Sequence, residues 1–171
     1  MADAPLEQRI AALEARLRAA EDVQAIQRLK TRYAQLVDAR YTRKGPKPAA
    51  EIEPIARALC QLFAPDAVWE AGGALGTCRG HDALLERFKT PTLQFSWHFF
   101  VKPDIEVDGD TARGSWDLFS PCTTSEGRAM WMTGVEHDEY VRLNGLWVHQ
   151  SMKLDVVFMA PYERGWGPRP A

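Results

Sequence analysis

The chain has 171 residues, of which 46% are hydrophobic and 26% are charged. This length predicts one domain, or one domain with a helical extension, and it is sufficient to bury a sizeable core. The 21 Lys and Arg residues nearly balance the 23 Asp and Glu residues, for a formal net charge of −2. A balance this close to neutral gives no electrostatic reason for binding nucleic acid or an anionic membrane, so we expect neither as a partner.

The cysteines and the amino terminus indicate where the protein resides. Cys60, Cys78 and Cys122 form no C-x-x-C pair, and an odd number of cysteines cannot all pair within one chain. This pattern is typical of a reduced, intracellular protein. The first residues have the pattern of a charged helix rather than the apolar run of a signal peptide, and no stretch approaches the roughly 18 apolar residues of a membrane helix. The sequence therefore predicts a soluble cytoplasmic protein.

The first 21 residues form a predicted N-terminal helical extension. Their apolar side chains recur at a heptad-like spacing, at Leu6, Ile10, Leu13 and Leu17. Such a stripe indicates an amphipathic helix, which either lies on its own domain or packs against a neighbouring subunit. Asp22 is predicted to interrupt the helix as an internal cap, and a second helical pattern then continues to about residue 41.

The remaining elements change from helical to strand-like periodicity. A third helix is predicted over about 50–63, short strands over 67–71 and 75–79 joined by Gly72-Gly73, and a short helix over 80–88. Four longer strands follow at about 95–107, 111–122, 128–142 and 146–158. Asp108-Gly109 and Asn144-Gly145 predict type I′ turns between them.

These elements define a fold class and its boundaries. Successive hairpins indicate an antiparallel meander, so we expect an α+β fold in which a curved antiparallel sheet wraps around three or four helices. The main domain is predicted over residues 22–160, and residues 161–171 form a predicted irregular tail.

Two polar residues stand out against their surroundings. Asp38 is the single acid in the basic segment 28–47, and it falls at a helix carboxyl end, where the helix dipole disfavours a negative charge. A neighbouring cation or a histidine should therefore hold it. His98 lies in an apolar run that is predicted to be the middle of a strand. It is either a hydrogen-bonded structural histidine or a general base whose tautomer a carboxylate fixes.

Other chemistries lack a sequence signature. There is no H-x-x-H, C-x-x-C or H-E-x-x-H spacing for zinc, although an iron site assembled from separate strands remains open. There is also no G-x-S-x-G, P-loop or G-x-G-x-x-G motif, which excludes an α/β-hydrolase, a nucleotide hydrolase and a Rossmann-type enzyme. The six Trp and seven Phe residues favour an interior that accepts an apolar, ring-bearing ligand.

An ordered set of motifs resembles a known family over roughly residues 22–160. It comprises Tyr33-x-x-x-x-Asp38 on the long helix, His98 followed by Pro103-Asp-Ile-Glu-Val, and Arg142-Leu-Asn-Gly-Leu-Trp147 before the last strand. These motifs resemble those of SnoaL-like proteins in the nuclear-transport-factor-2-like superfamily. The branch that is most similar contains bile acid 7α-dehydratase, scytalone dehydratase and hexachlorocyclohexane dehydrochlorinase.

The resemblance implies a cone-shaped α+β barrel and an elimination without cofactor. It implies that Asp38 and His98 form a catalytic dyad and that Tyr33 donates to the leaving oxygen or to developing charge. The position of an acid of the bile acid enzyme is occupied by Ser120 here, so the resemblance implies that either the leaving group or the acid that assists it differs. Family order and strand alternation together predict a substrate-binding set of Tyr41, Lys44, Trp69, Trp116, Ser120, Met130, Met132 and Phe158.

We therefore predict a cofactor-independent lyase that eliminates water, or another small group such as formaldehyde, from a hydrophobic hydroxylated aromatic compound. An isomerase or cyclase using the same dyad is one alternative. A ligand-binding protein without catalysis, and a β subunit of a ring-hydroxylating oxygenase, are two others. The branch also implies a homo-oligomer, with a trimer preferred over a dimer.

Overall fold

The computed structural model describes residues 5–71 and 76–167, and it places three helices and nine strands there. The helices are α1 (Leu6–Asp38), α2 (Ala49–Cys60) and α3 (Gly80–Lys89). The first strands are β1 (Tyr41–Thr42), β2 (Gly45–Pro46), β3 (Phe63–Glu70), β4 (Thr77–Arg79) and β5 (Phe95–Ser96). The longer ones are β6 (Phe99–Asp108), β7 (Thr111–Thr123), β8 (Ala129–Leu143) and β9 (Leu146–Pro161).

One seven-stranded sheet dominates the fold. Its strands run in the order β4-β3-β9-β8-β7, and both β5 and β6 pair with β7. The β6–β7–β8–β9 meander is antiparallel as predicted, but β3 pairs with β9 in parallel, so the sheet is mixed rather than wholly antiparallel. The α+β class is confirmed. Within the described residues the sheet does not close on itself, which gives an open cone rather than a barrel.

The long first helix differs from its prediction. Helix α1 runs without interruption through Asp22, where the sequence predicted a break. The Asp22 carboxylate accepts hydrogen bonds from the Trp147 indole at 3.0 Å and pairs with the Arg142 guanidinium at 2.8 Å. Asp22 therefore fastens the middle of the helix to the β8–β9 hairpin instead of capping a new helix.

The two predicted tight turns have different geometries. At the β8–β9 turn both central residues, Asn144 and Gly145, have positive φ, which confirms the type I′ turn. At the β6–β7 turn the central residues are Gly109 and Asp110, and of these Gly109 has positive φ. This is the type II′ pattern, and the predicted type I′ turn at Asp108-Gly109 is wrong by one position.

Other boundaries shift by a few residues. Helix α2 ends at Cys60, because β3 already begins at Phe63. The predicted Gly72-Gly73 connection and residue 75 lie outside the described residues, as do residues 168–171 of the predicted tail. None of the described helices has an apolar stretch long enough to cross a membrane.

The main core lies between the carboxyl half of α1, helices α2 and α3, and strands β3 and β9. Its buried side chains include Tyr33, Leu36, Val37, Leu59, Phe63, Leu84, Phe88 and Met152. Burying a large apolar side chain stabilises the fold by about 1.5–3 kcal/mol, so this cluster fixes the carboxyl end of α1 against the sheet. The predicted site residues of α1, Tyr33 and Asp38, are consequently held in place.

Candidate active site

The segment around His98 is not the continuous strand that the sequence predicts. Strand β5 ends at Ser96 and β6 begins at Phe99, and both pair with β7. His98 therefore lies in a two-residue interruption at the sheet edge. Its side chain still shares the inner face with Ser96, while Trp97 and Phe99 point outward and are about half exposed. The interruption frees the His98 backbone N–H from the strand ladder.

Asp38 holds His98 with both carboxylate oxygens. Oδ1 lies 2.6 Å from the imidazole Nδ1, and Oδ2 accepts the His98 backbone N–H at 3.1 Å. Because a carboxylate only accepts, Nδ1 carries the proton in this pair, and the neutral ring presents Nε2 as an acceptor. The Asp38 side chain is 8% exposed and that of His98 15%. This double contact fixes both the tautomer and the position of the ring.

Tyr33 lies one and a half turns before Asp38 on α1 and is almost fully buried. Its hydroxyl accepts a hydrogen bond from the Trp69 indole at 3.2 Å, and its ring packs against Phe63 and Phe100. Burial raises the pKa of the Tyr33 hydroxyl well above its usual range. Tyr33 is therefore a neutral hydroxyl that can donate a proton in a hydrogen bond.

A cavity of about 460 Å³ opens beside these residues. This volume lies within the range of small-molecule sites. Of the predicted site residues, Tyr33, His98, Tyr41, Trp69 and Met132 line it, and Asp38 holds His98 at its wall. Most of the remaining wall is apolar and includes Leu118, Met152, Leu154, Val156 and Met159.

Five predicted substrate-binding residues are not among those that line this cavity. Lys44 is exposed in the β1–β2 turn. Trp116 is buried deeper and donates its indole N–H to the Tyr140 hydroxyl at 2.9 Å. Ser120 is fully buried, and its hydroxyl has no hydrogen-bond partner among the described residues. Met130 lies further along β8, towards its amino end.

Phe158 is displaced from the cavity by an irregularity in strand pairing. Met132 pairs with Met159 and Thr133 with Phe158, but Gly134 pairs with Val156, so one extra residue is accommodated in β9. A Cβ at Gly134 would lie 2.7 Å from the Asp155 carbonyl oxygen, so glycine permits this close approach. The bulge changes which face each residue occupies, and Met159 lines the cavity in place of Phe158.

Sequence reasoning missed four charged residues in the cavity wall, namely Arg40, Glu70, Arg87 and Glu136. Arg40 is buried, and its guanidinium donates to the Val37 and Phe88 carbonyl oxygens at 3.1 and 3.0 Å. Burial lowers the pKa of Arg40. Glu136, on β8, also lines the cavity. The sequence signal that could have found Glu136 is the alternation of β8, which puts Glu136 and Asp138 together on the face opposite His137.

Glu136 and Asp138 share one buried lysine. Lys30 of α1 forms ion pairs with both, at 2.7 Å in the case of Asp138. Asp138 also accepts a hydrogen bond from the Tyr140 hydroxyl at 2.7 Å. We refer to Lys30, Glu136 and Asp138 as the lysine cluster. Although burial alone would lower the pKa of Lys30, the two carboxylates raise it.

In residues 5–71 and 76–167, no three His, Cys, Asp or Glu side chains converge as metal ligands would. The polar groups at the candidate site include the His98 imidazole held by Asp38, the neutral Tyr33 hydroxyl and the Glu136 carboxyl.

The fold and this site correspond to a class of small α+β cone proteins, and comparison with family models identifies the family. A model of the SnoaL-like domain matches residues 56–153, which is more than half of the chain. The chain belongs to the SnoaL-like family. A search of curated protein sequences found no match.

Solved structures share the fold at low sequence identity. One is hexachlorocyclohexane dehydrochlorinase LinA-type3 from Novosphingobium barchaimii, at 21% identity and TM-score 0.68, covering 89% of this chain and 97% of that one. Another, an NTF2-like protein with a cystatin-like fold from Novosphingobium aromaticivorans, has 23% identity and TM-score 0.68 over 85% and 88% of the two chains. A provisionally assigned scytalone dehydratase from Novosphingobium aromaticivorans has 17% identity and TM-score 0.68 over 89% and 92%. At these identities the likeness establishes the fold.

Proposed function

We propose that this protein is a cofactor-independent lyase in which His98 is the general base. The observation that carries the proposal is the double contact of Asp38 with His98, at Nδ1 and at the backbone N–H. That contact leaves Nε2 as the ring nitrogen available to a substrate in the cavity that His98 lines. A base of this kind typically contributes 10²–10⁴-fold to a rate.

The substrate that we infer is a hydrophobic hydroxylated compound with an aromatic ring. The cavity volume of about 460 Å³ suits a compound of two or three rings, and its wall is rich in Leu, Met and aromatic side chains. Trp69 and Tyr41 offer ring faces against which an aromatic ring can pack. Dehydratases and dehydrochlorinases among the structural relatives support an elimination.

The chemistry begins with removal of a proton from carbon. His98 Nε2 takes a proton from a carbon that an adjacent carbonyl or aryl group has made acidic, and Asp38 stabilises the imidazolium that forms. The electron pair of that C–H bond forms a double bond as the leaving group departs. Tyr33 donates a hydrogen bond to the developing negative charge, as a hydroxyl with a raised pKa can.

The test is a mass-spectrometric screen of the wild-type protein and His98→Ala on hydroxylated aromatic and steroid-like compounds, without added cofactor. We expect products lighter by water or another small neutral molecule with the wild type, and a loss of at least about 100-fold in His98→Ala. The matched control is His137→Ala, because His137 is 54% exposed and lies on the outer face of the sheet.

Each outcome of the screen separates the proposed lyase from its alternatives. Turnover that survives unchanged in His98→Ala would contradict the dyad mechanism. An isomer of unchanged mass would indicate an isomerase or cyclase that uses the same base. Equal retention of an unchanged ligand by both proteins would indicate a binding protein. Activity that requires a large co-purified subunit would indicate the oxygenase β subunit.

We also propose that the protein is a homotrimer whose subunits meet through exposed apolar surfaces. The predicted N-terminal stripe is exposed along its whole length in the structure, at Leu6, Ile10, Leu13 and Leu17. The outer face of the sheet carries aromatic rings in contact, with the ring centres of Phe119 and Trp131 5.4 Å apart and those of Trp131 and Tyr162 5.6 Å apart. Surfaces of this kind commonly pack against another subunit.

Light scattering on variants of the stripe tests this assembly. We expect Leu13→Gln/Leu17→Gln, or deletion of residues 1–20, to lower the assembly state or the melting temperature. Glu14→Gln/Glu21→Gln is the matched control on the same helix. Unchanged mass and melting temperature in the stripe variants would show that the helix takes no part in assembly.

A further inference from the structure

Glu136 occupies an unusual position for a carboxylate. It lies on the inner face of β8, pairs across the sheet with Trp116 and Leu154, and lines the same cavity as His98. Its side chain is nearly buried, and among the described residues its polar partner is the Lys30 ammonium. The proposed mechanism so far has a base and a hydroxyl, but it assigns no role to Glu136.

The lysine cluster contains one cation and two carboxylates. If the two carboxylates were both charged at neutral pH, the cluster would have a net negative charge. A net charge in a buried site is energetically costly. The Asp138 Oδ2 atom accepts two hydrogen bonds, from the Lys30 ammonium and the Tyr140 hydroxyl, although its buried Oδ1 has no partner among the described residues; Glu136 accepts only from Lys30. The Trp116 indole in turn donates to the Tyr140 hydroxyl. This geometry favours Asp138 as the counter-ion of Lys30, which leaves Glu136 as the carboxyl that can hold a proton.

The surroundings of Glu136 also favour its protonated form. Burial raises the pKa of Glu136, and the neighbouring charge of Asp138 adds to this effect, whereas Lys30 and a charged His98 oppose it. The titratable groups around this part of the interior come from α1, β8, β9 and the β5–β6 junction. They are Lys30, Tyr33, Asp138, Tyr140, His149 and His98.

We propose that Glu136 is the proton donor to the leaving group, paired across one cavity with His98 as the base. This inference rests on the proposed lyase function and adds an acid to it. It also accounts for Ser120, which stands where the resemblance implies an acid, and whose buried hydroxyl has no partner among the described residues. Glu136 supplies the acid from the neighbouring strand.

The step balances for loss of water. His98 Nε2 takes the proton from carbon, the C–H electron pair becomes the new double bond, and the C–O bond breaks with its electrons on oxygen. The Glu136 carboxyl gives its proton to that oxygen, which leaves as water. The resulting Glu136 carboxylate is stabilised by the Lys30 ammonium beside it, and the imidazolium and the carboxylate return to their starting states by proton exchange with solvent.

The first measurement reads the protonation of Glu136 without any substrate. The carboxyl resonances of protein labelled with ¹³C-glutamate are followed against pH, and Glu136→Gln assigns the signal. We expect a protonated Glu136 at pH 7 in the wild type. Asp138→Asn removes the competing carboxylate, so Glu136 should then ionise at lower pH. A Glu136 that is ionised throughout the neutral range, or that does not respond to Asp138→Asn, would overturn the proposal.

The second measurement uses two substrates that differ only in the leaving group. The β-hydroxy and β-chloro dihydrochalcones both give chalcone, which is followed by its absorbance, but chloride needs no proton to leave. We expect Glu136→Gln to lose at least about 100-fold on the hydroxy compound and less than about threefold on the chloro compound. Glutamine can still accept the Lys30 hydrogen bond, and Lys30 keeps Asp138 as its counter-ion, so the variant should fold.

The outcomes distinguish the two proposals. Equal losses on both compounds would overturn the role of Glu136 as an acid and indicate a structural carboxylate, while the lyase function would stand. An ionised Glu136 would overturn its role as an acid, and a wild type that forms no elimination product from either compound or from any compound of the screen would overturn the lyase proposal. His98→Ala should lose activity on both compounds alike, because the proton on carbon must be removed in either case.

Discussion

The interior of this protein holds two clusters of charged and polar groups that solve the problem of a buried carboxylate in different ways. Asp38 is held by two N–H groups of a single residue, His98, at the wall of the cavity. Asp138 is held by a lysine and a tyrosine from two different elements, α1 and β8, and its side chain is fully buried. The first arrangement orients one ring, whereas the second joins a helix to a sheet.

The difference shows what each cluster contributes. The Asp38–His98 contact spans the end of α1 and the interruption between β5 and β6, and it leaves a ring nitrogen for chemistry. The lysine cluster neutralises charge deep in the fold, and Glu136 alone among its members lines the cavity. Substitutions in the first cluster should therefore reduce activity with little change in stability, whereas substitutions at Lys30 should lower the free energy of unfolding.

The largest expected effect follows from Asp38→Asn. An asparagine oxygen can accept only one of the two His98 N–H groups, and its amide N–H₂ would face the other. If that amide faces Nδ1, Nδ1 must accept the amide hydrogen and the imidazole must carry its proton on Nε2. A protonated Nε2 cannot act as a base. We expect a loss of about 10³–10⁴-fold in kcat/KM, comparable to other dyads that lose their orienting carboxylate.

The control for this prediction is Asp110→Asn, since Asp110 is exposed and pairs with Arg142 on the surface. Both variants should melt within a few degrees of the wild type, and only Asp38→Asn should lose activity. Full activity in Asp38→Asn would mean that the carboxylate does not set the tautomer of His98.

Much of the fold could be predicted from the sequence, because its signals are local. The period-2 alternation and the Asn144-Gly145 turn define the β8–β9 hairpin, and the helical pattern of α3 is confirmed within one residue. The meeting of Asp38 with His98, 60 residues apart in sequence, is a long-range contact. No local pattern specifies this contact, and only the family resemblance implied it.

The rest of the site depended on features that alternation alone does not determine. The bulge between Thr133 and Gly134 inserts one residue into β9 and exchanges Phe158 for Met159 at the cavity. Asp22 has the residue type of a helix cap, but tertiary contacts with Arg142 and Trp147 decide its role. Glu136 was hidden because a carboxylate on a strand usually indicates the solvent face, and here Lys30 from a distant helix compensates it.

The second prediction tests the structural side of the comparison. Lys30→Met leaves Glu136 and Asp138 buried without their cation, and breaking a buried pair in this way typically costs about 3–5 kcal/mol. We expect the free energy of unfolding in urea at pH 7 to fall by this amount. The loss should be smaller in acid, because protonation of the carboxylates removes the negative charge that Lys30 otherwise balances. It should also be smaller in the double variant Lys30→Met/Asp138→Asn.

A surface pair provides the matched control. Lys102 is 77% exposed and pairs with Asp117, so Lys102→Met should change the free energy of unfolding by less than about 0.5 kcal/mol. If Lys30→Met were no more destabilising than Lys102→Met, the lysine cluster would contribute little to stability, and the contrast between the two interior clusters would disappear.

The smallest effect concerns His149, which is buried beside the lysine cluster. Its ring packs 5.0 Å from those of Phe63 and Tyr140, and burial lowers its pKa to about 3. An unfolded histidine titrates near pH 6.5, so between about pH 6.5 and pH 3 the unfolded chain binds the extra proton. The free energy of unfolding should therefore decrease as the pH falls through this window, by up to about 1.4 kcal/mol per pH unit.

The variant His149→Phe isolates this contribution, because other groups titrate in the same window. Glu136 has a raised pKa, so its protonation favours the folded state as the pH falls and opposes the effect of His149. The quantity to measure is therefore the difference in unfolding free energy between the wild type and His149→Phe at pH 7 and pH 5. We expect the wild type to lose about 1–2 kcal/mol more than the variant over this interval, with the exposed His137→Phe behaving as the wild type. Parallel curves for the wild type and His149→Phe would mean that His149 acquires its proton within the folded protein, and that the interior tolerates a second cation beside Lys30.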